Sequence, residues 1–267
     1  MSQVQNDEVR NHVRSRYKQI AIESAPTSSC CSPHPSASSC CGTPDEVSSK
    51  LGYSEEELSA VPAGSNLGLG CGNPQAIALL QPGEVVLDLG SGAGFDCFLA
   101  SKQVGNSGKV YGVDMTPEMV SRARYNAQSN HYENVEFRLG EIEHLPIADG
   151  AVDVIISNCV INLSPDKQQV FNEAYRVLKA GGRLAVSDVV TTATLPEELK
   201  GDLDSLASCV SGASSIEEVR HMLQISGFSD IRVEPKEESR EFIRDWIPGS
   251  SIDDYIQSAV ITGVKAR

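Results

Sequence analysis

Short apolar runs alternate with longer amphipathic stretches over residues 85–190, and this pattern predicts strands that alternate with helices. The apolar runs are typical of buried strands in a parallel sheet. The predicted strands are 85–89, 109–114, 135–139, 152–158 and 183–190. Helices are expected over 94–104, 117–129 and 165–179, the last closed by Gly181-Gly182. We therefore expect an α/β fold with a doubly wound, mostly parallel sheet and helices on both faces.

The segments on either side complete this architecture. Apolar residues recur at helical spacing over 7–23, which predicts an amphipathic helix capped by Asn6 or Asp7. Residues 24–50 are rich in Ser and Pro and predict a linker or mobile arm, after which Ser54 and Glu57 form a capping box. The elements expected after residue 190 are helices over 196–208 and 216–226 and strands over 231–235 and 255–264, which bring the sheet to seven strands.

Composition and charge narrow the class of protein. The chain has 267 residues and a hydrophobic fraction of 40%, enough for a globular α/β domain with extensions. A net charge of −14 argues against non-specific nucleic-acid binding, because that binding depends on Lys and Arg. No apolar run approaches the about 20 residues that span a bilayer, and no signal-peptide core is visible. We expect a cytoplasmic protein with no nucleic-acid or membrane partner, whose eight cysteines are reduced thiols.

A glycine-rich loop follows the first predicted strand and indicates a nucleotide cofactor. It reads Asp88-Leu89-Gly90-Ser91-Gly92-Ala93-Gly94, and Asp114 ends the second strand, where an acid that holds ribose hydroxyls is expected. The loop alone fits nicotinamide, flavin or S-adenosylmethionine. Two features favour the last: the loop departs from G-x-G-x-x-G, and Asp88 would repel a pyrophosphate but attract a methionine ammonium. The predicted cofactor-binding residues are Asp88, Gly90, Ser91, Gly92, Gly94 and Asp114.

Acidic residues after the third strand leave two interpretations open. Glu141 and Glu143 either accept hydrogen bonds from an adenine amino group or are solvated loop charges.

Three single cysteines are dispersed around the glycine loop and bear on the substrate. Cys71 lies in a loop before the first strand, Cys159 directly follows the fourth strand, and Cys209 comes after the fifth. A site lined with thiols suits a soft, thiophilic substrate, by the logic that pairs soft metal ions with thiolates. Free Cys is also among the most buried residue types, and simple packing is expected for Cys97.

Several longer motifs resemble one enzyme family. VVLDLGSGAG, GVDMT, GEIEHLP and SNCVINL followed by PDKQQ resemble the class I S-adenosylmethionine-dependent methyltransferases and, more narrowly, the arsenite methyltransferases. Gly70-Cys71-Gly72 matches the family's cysteine loop, and Cys209 stands where the family carries another thiol. The resemblance covers roughly residues 40–235 and implies a Rossmann-like fold and S-adenosylmethionine as cofactor. It also implies that Met115, Ile142, Glu143 and Asn158 contact that cofactor.

The resemblance implies a three-part organisation. Residues 1–50 form the N-terminal helix and the Cys/Ser/Pro-rich arm, 51–190 form the S-adenosylmethionine-binding methyltransferase domain, and 191–267 contribute substrate-side helices and the final strands.

The resemblance further implies that the substrate is arsenite or its thiol conjugates. Cys71, Cys159 and Cys209 are then expected to ligate trivalent arsenic as thiolates while its lone pair attacks the sulfonium methyl. Methylation formally oxidises arsenic, so two site cysteines would return the electrons by forming a disulfide, which an external thiol reductant, glutathione or thioredoxin, would reset. Cys71 with Cys41 or Cys40 is the expected pair, and Cys41 is counted among the catalytic candidates.

The N-terminal cysteines depart from the family pattern. The family usually has one key cysteine in this region, whereas this chain has the vicinal pairs Cys30-Cys31 and Cys40-Cys41. His34 lies between the pairs, so a metal-scavenging arm and an incidental thiol-rich tail both remain open.

Two other functions compete with arsenite methylation. A methyltransferase of small metabolites, of the quinone-biosynthesis type, shares the sheet and the acidic loop but needs no cysteines. A non-catalytic arsenic- or metal-binding protein would use the thiols without turnover.

Overall fold

One mixed sheet forms the centre of the computed structural model, which describes residues 3–24, 43–196, 210–247 and 249–267. In chain order the strands are β1 (Val85–Leu89), β2 (Lys109–Asp114), β3 (Val135–Leu139), β4 (Val152–Asn158), β5 (Leu178–Thr191), β6 (Ser214–Ser215), β7 (Phe228–Pro235) and β8 (Ile256–Lys265). The order across the sheet is β3-β2-β1-β4-β5-β8-β7, with β6 beside β5. Strands β1 to β5 pair in parallel, and β8 is antiparallel to both neighbours. The predicted mostly parallel, doubly wound sheet is thus confirmed.

The helices lie between the strands and ahead of β1. They are α1 (Gln3–Glu23), α2 (Pro44–Lys50), α3 (Glu55–Ser59), α4 (Gln75–Ala78), α5 (Phe95–Val104), α6 (Pro117–Ser129), α7 (Lys167–Val177), α8 (Ile216–Ser226) and α9 (Arg240–Ile243). Predicted bounds and observed bounds agree for α6 and α8, and α3 begins with the expected capping box of Ser54 and Glu57. None of the described helices is both long enough and apolar enough to cross a membrane.

Helix α7 is shorter than the predicted 165–179. It begins after Asp166, whose side chain accepts from the Gln169 N–H and caps the helix, so Pro165 stays outside. It ends because Leu178 is already extended and pairs with Val152 of β4. The predicted glycine closure is therefore wrong: Gly181 and Gly182 belong to β5, which begins earlier than expected.

The N-terminal region also departs from expectation. Helix α1 begins at Gln3, so Asn6 and Asp7 lie inside it rather than at its cap. Residues 44–50 form α2 instead of belonging to an arm, because Thr43 and Glu46 make a capping box and Pro44 occupies the first turn. The rest of the predicted arm and nearly all of the predicted helix 196–208 lie outside the described residues.

Two buried clusters cover the faces of the sheet. Leu87 and Ile155 pack with Phe171 on one face, and Val86 and Ile156 pack on the other. Alternate residues of β1 thus serve opposite clusters, as expected for a strand buried on both faces. This leaves the carboxyl ends of β1 and β4, where the strand order reverses, as the place for a ligand.

Candidate active site

A cavity of about 500 Å³ lies at the carboxyl ends of β1, β2 and β4. Helix α1 supplies part of its wall through Arg10, Val13 and Tyr17. The predicted cofactor residues that line it are Asp88, Gly90, Ser91, Gly92, Asp114, Met115, Ile142, Glu143 and Asn158. The fold therefore gathers into one pocket residues that are far apart in the chain.

The glycine loop is shaped to receive a ligand. The Gly92 N–H donates to Asp114 Oδ2 (3.0 Å), which fixes the loop against the end of β2. Among the described residues, a Cβ added at Gly92 would meet no atom within 4 Å, so this turn faces open space, and the buried Ser91 Oγ has no hydrogen-bond partner. Gly94 instead caps α5, and a Cβ there would lie 2.7 Å from Phe137 and Phe98.

Buried carboxylates give the cavity its charge. Burial raises the pKa of Asp88 well above its ordinary value, as does the nearby Asp96, whereas the bond from the Cys97 thiol (3.3 Å) opposes the rise. Burial likewise raises the pKa of Asp96 to about 6 and that of Asp114, whose rise the N–H groups of Thr116 and Gly92 oppose. A cationic partner stabilises the ionised form of a buried carboxylate of this kind. The donor set, the open Gly92 turn and the unpartnered Ser91 hydroxyl fit S-adenosylmethionine, which is cationic.

Glu143 is held by the protein itself. Its Oε1 accepts from Ser164 Oγ (2.7 Å) and from Arg10 Nε of α1 (3.3 Å), and the side chain is 4% exposed. Arg14, also on α1, forms a second ion pair beside it, from its Nη2 to Glu141 Oε1 (3.2 Å). Glu143 is therefore not a solvated loop charge, and Glu141, whose side chain is 33% exposed, joins it in tying α1 to the cavity wall.

Two thiols meet beside the cavity. The sulfur atoms of Cys71 and Cys159 and one carboxylate oxygen of Asp188 all lie within 4.8 Å of one another. The exposed fractions are 1% for Cys71, 7% for Cys159 and 2% for Asp188. Cys159 also lines the cofactor cavity. The fold thus brings together two cysteines that are 88 positions apart in the sequence.

The turn after β4 holds Cys159 in an uncommon conformation. Its backbone φ is +58°, in the left-handed region that residues other than glycine rarely adopt. The Cys159 N–H donates to the Ser187 carbonyl oxygen (2.8 Å), and the N–H groups of Ile161 and Asn162 donate to Asp188 (2.9 and 3.3 Å). Backbone strain of this kind concentrates at functional sites, where surrounding contacts maintain it.

The remaining predicted cysteines divide into two groups. Cys209, Cys30, Cys31, Cys40 and Cys41 lie outside the described residues. Val210, the residue that follows Cys209, is buried in the cluster that contains Cys71 and Cys159. Cys97 is fully buried and packs beneath β1, as predicted, while its thiol donates to Asp88.

Sequence reasoning missed three polar residues of this region. Tyr53 donates to Asp96 Oδ1 (2.8 Å), and Asp188 accepts four hydrogen bonds around the turn after β4. A usable signal existed for Asp188, because Ser187-Asp188 interrupts an otherwise apolar strand. Tyr53 and Asp96 carry no comparable local signal, since only the fold brings them together.

Asp188 predicts a pH dependence of stability. Burial raises its pKa from 3.8 to about 6 in the folded protein, although the N–H groups of Val189, Asn162 and Ile161 oppose the rise. The folded state therefore binds this proton more readily than the unfolded state. The stabilisation that the protonated carboxyl gives the fold is present at low pH and is lost as pH rises through about 6. In Asp188→Asn this dependence should vanish.

Urea unfolding of both proteins measures the effect. The free energy of unfolding of the wild type relative to Asp188→Asn should fall by about 2 kcal/mol between about pH 4.5 and about pH 6.5. A constant difference over this interval would show that Asp188 does not titrate there.

Comparison with known proteins places the fold. A model of the family described as a methyltransferase domain matches residues 80–227. An arsenite methyltransferase of Halobacterium salinarum is 51% identical over 97% of this chain and 67% of its own length. One of Aquipseudomonas alcaligenes is 48% identical over 61% of this chain and 49% of its own length. The chain thus spans about half to two thirds of these relatives.

A solved structure agrees with the sequence matches. The crystal structure of an arsenic(III) S-adenosylmethionine methyltransferase from Chlamydomonas reinhardtii superposes with a TM-score of 0.60 and 31% identity, covering 88% of this chain and 75% of that one. The fold and the cavity therefore define an S-adenosylmethionine-dependent methyltransferase. Identity to the Halobacterium salinarum relative over nearly the whole chain narrows the class, and the chain belongs to the arsenite methyltransferase family.

Proposed function

We propose that this chain transfers the methyl group of S-adenosylmethionine to trivalent arsenic held by the thiolates of Cys71 and Cys159. The observation that supports this most is the position of the two sulfurs, which lie within 4.8 Å of each other beside the cofactor cavity. Trivalent arsenic is soft and takes thiolate ligands in preference to carboxylates. We assign the third ligand to Cys209, because the neighbouring Val210 lies in the same buried cluster as the two thiols.

Asp188 is not a ligand in this proposal. Its oxygens already accept from the N–H groups of Ile161, Asn162 and Val189 and from Asn162 Nδ2. A hard carboxylate so fully engaged suits the role of fixing the turn that carries Cys159.

The cofactor pocket positions the methyl donor. When bound, S-adenosylmethionine supplies an electrophilic methyl group on a sulfonium centre. Asp114 would hold the ribose hydroxyls, and Asp88 and Asp96 would face the positive charge of the methionine part. Glu143, kept in place by Arg10 and Ser164, would accept from the adenine amino group. Met115 and Ile142 would pack against the base.

Arsenic enters by ligand exchange. Each thiol loses its proton to a hydroxide that leaves arsenic, so one As–S bond forms, one As–O bond breaks and one water molecule is released. Ligands that are fixed before the reaction contribute through positioning, which supplies as much as about 7–11 kcal/mol of a barrier. The buried location of both thiols keeps the bound arsenic away from bulk water.

Methyl transfer leaves arsenic oxidised by two electrons. The lone pair of arsenic forms the new As–C bond, and the electrons of the broken S–C bond remain on the departing sulfur. Two cysteine thiolates then return two electrons to arsenic and become a disulfide. We assign this disulfide to Cys71 with Cys40 or Cys41, and its reduction to an external thiol, glutathione or thioredoxin.

One incubation tests the proposed function. The protein is mixed with arsenite, S-adenosylmethionine labelled in its methyl group, and glutathione or thioredoxin with its reductase, and arsenic species are separated by chromatography. Label should appear in methylated arsenic and in no product when arsenite is omitted. Binding of arsenite without labelled product would instead indicate a sequestering protein. Label transfer to a quinone precursor that survives thiol blocking would indicate the small-metabolite methyltransferase.

A further inference from the structure

Asn158, the last residue of β4, contacts the backbone of the loop that carries Cys71 through both the oxygen and the nitrogen of its side-chain amide. The Cys71 N–H donates to Asn158 Oδ1 (3.0 Å), and Asn158 Nδ2 donates to the Gly72 carbonyl oxygen (2.7 Å). The loop over residues 62–74 has no helix or strand of its own to fix it. These two bonds therefore act as a substitute for backbone pairing at the position of Cys71.

The loop lies directly against this amide. A Cβ added at Gly70 would stand 2.8 Å from Asn158 Nδ2, and one at Gly72 would stand 2.8 Å from Ser187 Oγ. Glycines on both sides of Cys71 thus permit an approach that a side chain would block. The close fit accounts for the burial of Cys71, which is 1% exposed although it lies in a loop.

The same amide also connects to the cofactor cavity. Asn158 Nδ2 donates to Tyr53 Oη (3.1 Å), and Tyr53 Oη donates to Asp96 Oδ1 (2.8 Å). Asp96 lines the cavity, and Gln75 Nε2 donates to its backbone carbonyl (2.8 Å). A continuous chain of hydrogen bonds therefore runs from a cavity carboxylate through Tyr53 and Asn158 to the backbone of Cys71.

We infer that Asn158 is a positioning residue that holds Cys71 in place for arsenic and couples its position to occupancy of the cofactor cavity. Both Nδ2 hydrogens are used, on Gly72 and Tyr53, so the amide serves the thiol loop rather than donating to the cofactor. A ligand that orders Asp96 also orders Tyr53 and, through Asn158, the loop. The inference rests on the proposed function only in taking Cys71 as an arsenic ligand.

Alkylation of Cys71 measures its position without any methylation. Wild-type protein and Asn158→Ala are treated with N-ethylmaleimide in the absence of arsenic, and modification of the Cys71 peptide is followed by mass spectrometry. The alanine variant loses three hydrogen bonds, so Cys71 should react about ten- to a hundredfold faster than in the wild type. Asn158→Asp keeps the acceptor for the Cys71 N–H but loses the donor to Gly72, and an intermediate rate is expected.

A matched control is Asn134→Ala. Asn134 directly precedes β3 and lies at the opposite end of the strands. Its side-chain amide also makes three hydrogen bonds, two with Ser101 and one with Gly105. It should leave the Cys71 rate unchanged. Equal rates in the wild type and both Asn158 variants, or equal acceleration by Asn134→Ala, would overturn the positioning role.

S-adenosylhomocysteine tests the coupling. At saturation it should slow alkylation of Cys71 several-fold in the wild type and leave the rate in Asn158→Ala unchanged. Protection that persists in Asn158→Ala, or is absent from the wild type, would overturn the coupling. Because no arsenic is present, failure of the proposed function leaves these results intact, and their failure leaves arsenite methylation intact.

Discussion

Replacing Cys71 or Cys159 by serine should reduce arsenite methylation about a hundredfold or more, which corresponds to ~3 kcal/mol in the barrier. Serine preserves the size of the side chain but replaces a soft thiolate with a hard hydroxyl that does not ionise at neutral pH. Arsenic would then lose one of the three proposed thiolate ligands, and one of the two whose sulfurs meet beside the cavity. The rate of product formation at saturating S-adenosylmethionine measures the effect.

Binding of the cofactor separates a ligand role from a folding defect. Both serine variants should bind S-adenosylhomocysteine as the wild type does, because serine preserves the size of the Cys159 side chain in the cavity wall and Cys71 is not among the residues that line the cavity. Cys97→Ser is the matched thiol control, since its hydroxyl preserves donation to Asp88 and the residue packs away from the thiol pair. Full activity in both Cys71→Ser and Cys159→Ser would refute thiolate ligation.

Replacing Asp114 by alanine should weaken S-adenosylhomocysteine binding about a hundredfold. In the proposed function the carboxylate accepts from two ribose hydroxyls, and hydrogen bonds to a charged group contribute about 1.5–3 kcal/mol each. Its loss would also free the Gly92 N–H, which donates to Asp114 in the folded protein. Isothermal titration calorimetry with S-adenosylhomocysteine measures the affinity.

Asp149→Ala is the control for charge alone. The Asp149 side chain is 81% exposed and pairs with Arg176 (2.6 Å) outside the cavity. It should leave the affinity unchanged, although both substitutions remove one negative charge. An Asp114→Ala protein that binds S-adenosylhomocysteine with wild-type affinity would show that this acid does not hold the ribose.

The local sequence pattern was sufficient to predict most strands of the sheet. The predicted bounds of β1, β2, β3 and β4 match the structure, because each strand is a short segment rich in apolar residues between turn residues. The predicted helix boundaries were wrong where a side-chain cap or an extended residue set the observed end of the helix. Asp166 and Leu178 set the ends of α7, and Thr43 with Glu46 began α2 in a segment whose composition suggested an arm.

The site was predicted unevenly for a related reason. Residues within contiguous motifs, such as Asp88 and Asp114, were found from the sequence and line one cavity. Contacts between distant segments were not foreseen, as with Tyr53 and Asp96 or with Arg10 and Glu143. Such pairs depend on how loops and α1 pack against the sheet, and periodicity carries no information about that packing.

Cysteine thiolates hold the arsenic that is methylated in the proposed function. X-ray absorption at the arsenic edge, on protein loaded with arsenite and S-adenosylhomocysteine, identifies these ligands. A first shell of sulfur is expected in the wild type, with oxygen replacing the two sulfurs of Cys71 and Cys159 in the Cys71→Ser/Cys159→Ser double variant. A first shell of oxygen in the wild type, or a sulfur shell that is unchanged in the double variant, would contradict it.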